Sequence, residues 1–136
     1  MVQRKKILVV DDERDIVKAL MIRLQGAGYD VVAAFDGAQG VFMAHKEKPD
    51  LIILDIRMPA GNGFSVAQRL KRSTHTFTIP VIFLTGSPEK NAGEKAMAMG
   101  ARFYIKKPYD PEELLDAIKR ALEEGSDPSL KLEDID

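Results

Sequence analysis

Apolar residues in this chain fall into short runs that stop abruptly at polar ones. Ile7–Val10 meets Asp11 and Asp12, Leu51–Leu54 meets Asp55, and Val81–Leu84 meets Thr85. Phe103–Ile105 meets Lys106, Lys107 and Pro108. Short apolar runs without alternation predict strands buried on both faces, as in a parallel sheet. Between the runs the apolar positions move to helical spacing. Ile16, Leu20 and Leu24, with Val17 and Met21 beside them, predict an amphipathic helix from Glu13 to about Gln25, ended near Gly26 and Gly28.

The same alternation continues to residue 124. Tyr29–Ala34 is a weaker strand, expected nearer an edge, and Gly37–Lys46 a helix carrying Val41, Phe42 and Ala44. Pro49-Asp50 breaks the chain before the third strand. Asn62–Arg72 is the third helix, with Phe64, Ala67 and Leu70 facing inward, and Ser73–Thr78 a polar loop. Ser87-Pro88 has the form of a helix cap with proline at the first position. The helix behind it has a small apolar face of Ala92, Ala96 and Met99 and is expected to be the most mobile. Asp110-Pro111-Glu112-Glu113 opens the last helix, whose stripe is Leu114, Leu115, Ile118, Ala121 and Leu122. Alternating strands and helices imply an α/β fold, a doubly wound parallel sheet with right-handed crossovers and helices on both faces. The domain is expected over 1–124. Residues 125–136, with four acids against one lysine, have the composition of an acidic linker or disordered tail.

In a parallel sheet all strand ends of one type share an edge, and ligands of open α/β sheets bind at the carboxyl edge. Asp11, Asp12, Asp55, Thr85 and Lys107 therefore converge. Three carboxylates so close repel one another, and some would take up protons. A magnesium ion relieves this, because it takes oxygen ligands and keeps waters that a phosphate oxygen can replace. A carboxylate beside such an ion can attack phosphorus and become an aspartyl phosphate. Lys107 would supply a cation and Thr85 a hydroxyl donor to a reaction that mostly needs positioning and charge neutralisation. Each residue alone has a plainer reading. Asp11-Asp12 would cap a helix, and Asp55 would end a strand. The conjunction carries the chemistry.

Composition narrows the classes. The 136 residues carry a net charge of −1, which gives no electrostatic case for nucleic acid or an anionic membrane. There is no cysteine, which excludes disulfides, thiolate zinc sites and thiol catalysis. No apolar stretch approaches a membrane span, so the chain is expected to be cytoplasmic. His45 and His75 lie away from the predicted edge and are expected at the surface. The glycine pairs 26/28 and 61/63 lack dinucleotide spacing and are turns.

Ile7-Leu8-Val9-Val10-Asp11-Asp12-Glu13, Asp55-Ile56-Arg57-Met58-Pro59, Gly63, Thr85-Gly86 and Lys107-Pro108 follow one another in a spacing that resembles the receiver domain of bacterial two-component response regulators. The resemblance covers roughly residues 4–123. It implies a five-stranded, flavodoxin-like (βα)5 sheet of order 2-1-3-4-5. It implies that Asp55 accepts a phosphoryl group from a histidine kinase or phosphotransfer protein and loses it by slow autodephosphorylation. Mg2+ would be bound by Asp12 and Asp55 directly, by the backbone carbonyl of Arg57, and by Asp11 through water. Thr85 and Lys107 would hold phosphoryl oxygens, Gly86 would keep the approach open, and the Lys107–Pro108 bond would be cis. Tyr104 matches the aromatic switch position that couples to Thr85. Asn62 stands where many receivers have aspartate, with little consequence expected because asparagine also caps helices. Arg57 and Ser87 occupy positions that the family varies and that bear on phosphoryl lifetime.

These implications make the chain a regulatory phosphoacceptor rather than an enzyme. An aspartate-nucleophile phosphohydrolase would need an acid two residues after the nucleophile, where Arg57 stands. A flavin carrier would need a hydroxyl-rich loop after the first strand, where acids stand. A receiver-like module that binds partners without phosphorylation would not need the full acid, threonine and lysine set. The effector would be a downstream protein or an output domain of a longer chain, with no direct nucleic-acid contact by this domain. The face of helix four, strand five and helix five carries both signs of charge, including Lys90, Glu94, Asp116 and Lys119, which is compatible with a homodimer.

Overall fold

The computed structural model describes residues 4–58, 62–86 and 91–124. Strands and helices alternate throughout: β1 (Lys6–Val10), α1 (Arg14–Gly26), β2 (Asp30–Ala34), α2 (Gly37–Glu47), β3 (Leu51–Leu54), α3 (Gly63–Lys71), β4 (Val81–Thr85), α4 (Ala92–Ala98), β5 (Phe103–Lys106) and α5 (Pro111–Glu124). The strands form a sheet of order β2-β1-β3-β4-β5, parallel at every pairing. β2, the strand expected near an edge, is an edge strand. The Ser87-Pro88 cap, the Pro59–Gly61 turn and the acidic tail at 125–136 lie outside the described residues.

The apolar runs are explained by two cores, one on each face. Leu8, Val10, Ile52, Leu54, Val81 and Phe83 face one side with α3, α4 and Ala44 of α2. Ile7, Val9, Leu51, Ile53, Ile82 and Leu84 face the other with α1 and α5. Successive strand side chains alternate between faces, so a strand covered on both must be apolar at every position. Local signals fix the helix ends. Asp36 accepts the Gln39 amide at 2.7 Å, and Gln39 Oε1 accepts the Phe35 amide at 2.7 Å, a reciprocal cap on α2. Asn62 caps α3 by accepting the Ser65 amide at 2.9 Å, the role expected of it. Pro111 is the first residue of α5, followed by acids that complement the helix dipole.

Not all of the apolar residues that mark α2 face inward. Ala44 is buried, but Phe42 is 60% exposed and lies under the Lys46 ammonium. The inward face of α2 is instead made by small residues, Gly37, Gly40 and Ala44. Gly40 lets the helix descend onto β1. A Cβ there would lie 2.8 Å from Val10 Cγ1, inside contact distance. Gly40→Ala should therefore cost about 1–2 kcal/mol in urea unfolding, the overpacking exceeding the gain in helix propensity. Val10→Ala should cost less in the Gly40→Ala background than in the wild type. A double-mutant cycle measures this, and additivity would remove the contact from the account.

Candidate functional site

The register of β1 and β3 brings the acids together. Val10 pairs with Leu54, so Asp11 and Asp55 emerge side by side. Their amides stay in the ladder: Asp11 N–H donates to the Ala34 carbonyl at 3.1 Å and Asp55 N–H to the Val10 carbonyl at 2.9 Å. Each side chain can thus point out of the edge while its backbone remains paired. Carboxylate oxygens of Asp11, Asp12 and Asp55 lie within 4.8 Å of one another. Asp11 and Asp55 are buried, whereas Asp12 is exposed. The plainer reading of Asp11-Asp12 as a helix cap is not what is seen. The residue at the cap of α1 is Glu13, which makes no side-chain cap hydrogen bond. Asp11 Oδ1 accepts the Glu13 amide at 3.0 Å, and Asp55 Oδ1 accepts the Ile56 amide at 2.8 Å.

Lys107 closes the site from the end of β5, just before a cis Lys107–Pro108 bond of the kind the resemblance implies. Its Nζ donates to Asp11 Oδ2 at 2.6 Å and Glu13 Oε1 at 3.3 Å, and stands 3.6 Å from Asp55 Oδ2. Burial pushes the Asp11 carboxyl above its usual range, and the charge of Asp55 adds to this, against the hydrogen bonds from Lys107 and the Glu13 amide. Burial alone would lower the Lys107 ammonium. The hydrogen bond and charge of Asp11, with the charges of Asp55 and Glu13, raise it instead. The ammonium therefore stays charged among the acids. Glu13 is the site residue that sequence reasoning missed as a partner of Lys107. Its place directly after Asp11-Asp12 was the available signal.

Thr85 ends β4, is buried, and reaches the same edge. Arg57 is exposed, and among the described residues it forms no ion pair. Tyr104 is half-buried on β5, and its ring lies against α4, where a Cβ on Gly93 would come within 3.3 Å of Cδ1. An oxygen-only cluster with an exposed member fits a hard divalent cation such as magnesium. His45 and His75 are both exposed and lie on other elements, as expected.

A five-stranded, doubly wound domain with an acidic cluster and a lysine at its carboxyl edge belongs to a known class. The chain matches the response regulator receiver domain over residues 7–119. It is 40% identical over 118 residues to the alkaline phosphatase synthesis transcriptional regulatory protein PhoP of Bacillus subtilis, covering 87% of this chain and 48% of that protein. To the phosphate regulon transcriptional regulatory protein PhoB of Pseudomonas aeruginosa it is 39% identical over 118 residues, covering 87% and 52%. Among solved structures, the chemotaxis protein CheY4 of Vibrio cholerae is similar, with a TM-score of 0.80, 32% identity and coverage of 87% of this chain and 98% of that one. So is the receiver domain of the sensor histidine kinase PA1611 of Pseudomonas aeruginosa, with a magnesium ion coordinated in its active-site cleft: TM-score 0.81, 26% identity, coverage 89% and 99%. The chain belongs to the response regulator receiver domain family and is a regulatory receiver domain of the two-component type. It spans about half the length of the curated relatives it matches. Among the described residues no helix is long and apolar enough to cross a membrane.

One glycine builds this site. The Gly63 amide donates to the Ile56 carbonyl at 2.6 Å, and a Cβ on Gly63 would lie 2.2 Å from the Asp55 carbonyl oxygen. The start of α3 thus rests directly on the backbone that carries Asp55. Backbone cannot yield as a side chain can, so Gly63→Ala should cost about 3 kcal/mol or more by urea unfolding. Among the described residues, a Cβ on Gly86 would meet Lys107 Cβ alone, at 3.8 Å. Gly86→Ala should stay within about 0.5 kcal/mol of the wild type in the same measurement. Equal effects of the two substitutions would refute the close-approach argument.

Proposed function

We propose that the chain is a phosphoryl-accepting switch that takes its phosphoryl group on Asp55. The observation that carries this is the convergence of the Asp11, Asp12 and Asp55 carboxylates within 4.8 Å, with Lys107 Nζ 3.6 Å from Asp55. The donor is a phosphohistidine on a histidine kinase or phosphotransfer protein. An Asp55 carboxylate oxygen attacks phosphorus, the phosphorus–nitrogen bond breaks, and the imidazole leaves with the bonding pair. Asp11, Asp12, Asp55 and the Arg57 carbonyl would hold Mg2+, which when bound offsets the negative charge of the carboxylates and the phosphoryl oxygens. Lys107, already 3.6 Å from Asp55, pairs with an added phosphoryl oxygen, while the Thr85 hydroxyl donates to another. Gly86 leaves the approach to phosphorus open. Slow hydrolysis by water resets the switch.

The receiver unit of this reading is residues 1–124, with 125–136 an acidic linker or tail. The output is a protein contact rather than a nucleic-acid contact by this domain. It involves the α4–β5–α5 face, including pairing of two copies. Exposed Glu94, Lys95, Asp116 and Lys119 supply both signs of charge there. Acetyl phosphate with Mg2+ should add one phosphoryl group by mass spectrometry, EDTA should prevent it, and Asp55→Asn should not be modified. Equal modification of that variant would overturn the assignment.

Drawing Thr85 toward a phosphoryl oxygen vacates space that Tyr104 can fill, and α4 repacks in response. Charge-assisted hydrogen bonds supply the few kcal/mol this requires. Hydrogen exchange with and without beryllofluoride and Mg2+ should change most across 86–104. Changes confined to the neighbourhoods of Asp11 and Asp55 would show that the coupling does not reach α4.

A further inference from the structure

His45 and His75 are thirty positions apart in sequence, on α2 and in the α3–β4 loop, and the fold brings their rings together. The ring centres are 6.2 Å apart with planes at 70°. Both side chains are exposed, yet both backbones are anchored. Ala44, the neighbour of His45, is fully buried beneath α2. Thr76, the neighbour of His75, is 1% exposed, and its hydroxyl donates to the Leu70 carbonyl at 2.7 Å. The His75 amide donates to Ser73 Oγ at 3.2 Å, and the Phe77 amide to the Ser73 carbonyl at 2.9 Å, which fixes the turn. Two exposed imidazoles on separate, anchored segments thus stand ring to ring.

We propose that His45 and His75 form a binding site for a borderline transition-metal dication, with Zn2+ as the probe. A metal bonded to both rings at about 2.0–2.1 Å holds their centres roughly 5–6 Å apart, close to the spacing already present. Both rings are exposed and so are free to turn a nitrogen toward it. His45 lies in the last turn of α2, where the helix dipole favours positive charge. The adjacent Lys46 ammonium is directed over the Phe42 ring, 5.9 Å from its centre. The pair is nitrogen-only, whereas the cluster of Asp11, Asp12 and Asp55 is oxygen-only, so the two sites prefer different ions. A bound ion would clamp the end of α2 to the loop that leads into β4. Water would complete its coordination.

The test titrates Zn2+ into the whole chain at saturating Mg2+, by calorimetry and by NMR of the imidazole rings. The expected result is one equivalent bound, with the His45 and His75 signals moving together. His45→Ala and His75→Ala should each weaken binding by about tenfold or more, because a single imidazole cannot chelate. Both positions are exposed, so circular dichroism should report an unchanged fold. Independent titration of the two rings, or unchanged binding in both variants, would overturn the site.

Discussion

Three carboxylates do not gather within 4.8 Å at the end of a hydrophobic sheet unless something holds them there. Their mutual repulsion and the desolvation of Asp11 and Asp55 both oppose folding. What holds them is the register of β1 against β3, in which Val10 and Leu54 are partners and the next residue of each strand is an aspartate. The ladder continues one step beyond Val10 and Leu54 through the amides of Asp11 and Asp55. A slip of one residue would send every apolar side chain of the strand to the opposite face, so the two cores defend the register. Lys107 then offsets part of the charge, from a strand that does not touch β1. The acidic cluster is in this sense a load placed on a rigid frame. The fully apolar strands are the reason the frame is rigid.

Helices must also approach the frame closely, and two glycines allow it. Gly40 brings α2 onto Val10, the last residue before Asp11. Gly63 brings α3 onto the carbonyl of Asp55 itself. Both contacts lie one residue or less from a site carboxylate. The backbone of Asp55 is therefore pressed from the helical layer as well as held by the sheet, and the side chain that precedes Asp11 is covered by α2. A constellation built this way is preorganised, with little room for the acids to spread apart and relieve their repulsion.

Most of this architecture was legible in the sequence because a doubly covered strand must be apolar at every position. Four such runs, each ending in a polar residue, fix both the parallel sheet and the edge at which Asp11, Asp55, Thr85 and Lys107 meet. Asn62 and Asp110-Pro111 marked their helix starts because capping is local chemistry. Contacts set by tertiary approach were not legible. Gly63 looked like half of a turn, since nothing in the sequence reveals how near α3 comes to Asp55. The Lys107–Glu13 pair joins residues 94 positions apart. Phe42 is one of the apolar residues that mark the helix, yet it lies at the surface. The inward face of α2 is instead set by how closely Gly40 lets it approach β1, and that favours small residues. His45 and His75 were each correctly placed at the surface, but their proximity depends on how α2 packs beside α3.

The helices that cover the sheet are not equally firm. On one side α5 buries Leu114, Ala117, Ile118 and Ala121, and α1 buries Val17, Leu20 and Leu24. On the other, the described part of α4 is a short helix that buries Ala92 and Ala96. Burying a leucine or isoleucine contributes about 1.5–3 kcal/mol, and an alanine methyl far less. Displacing α4 therefore costs much less than displacing α5 or α1. Gly93 adds to this, since it presents bare backbone to the Tyr104 ring, which a Cβ there would meet at 3.3 Å. A perturbation at Asp55 worth a few kcal/mol, such as new charge-assisted hydrogen bonds, is too small to move the aliphatic layer. It is of the right size to shift α4. On the proposed function, α4, small-faced like α2 but packed against Tyr104 at the far side of Thr85, is the element through which a signal from this site would leave.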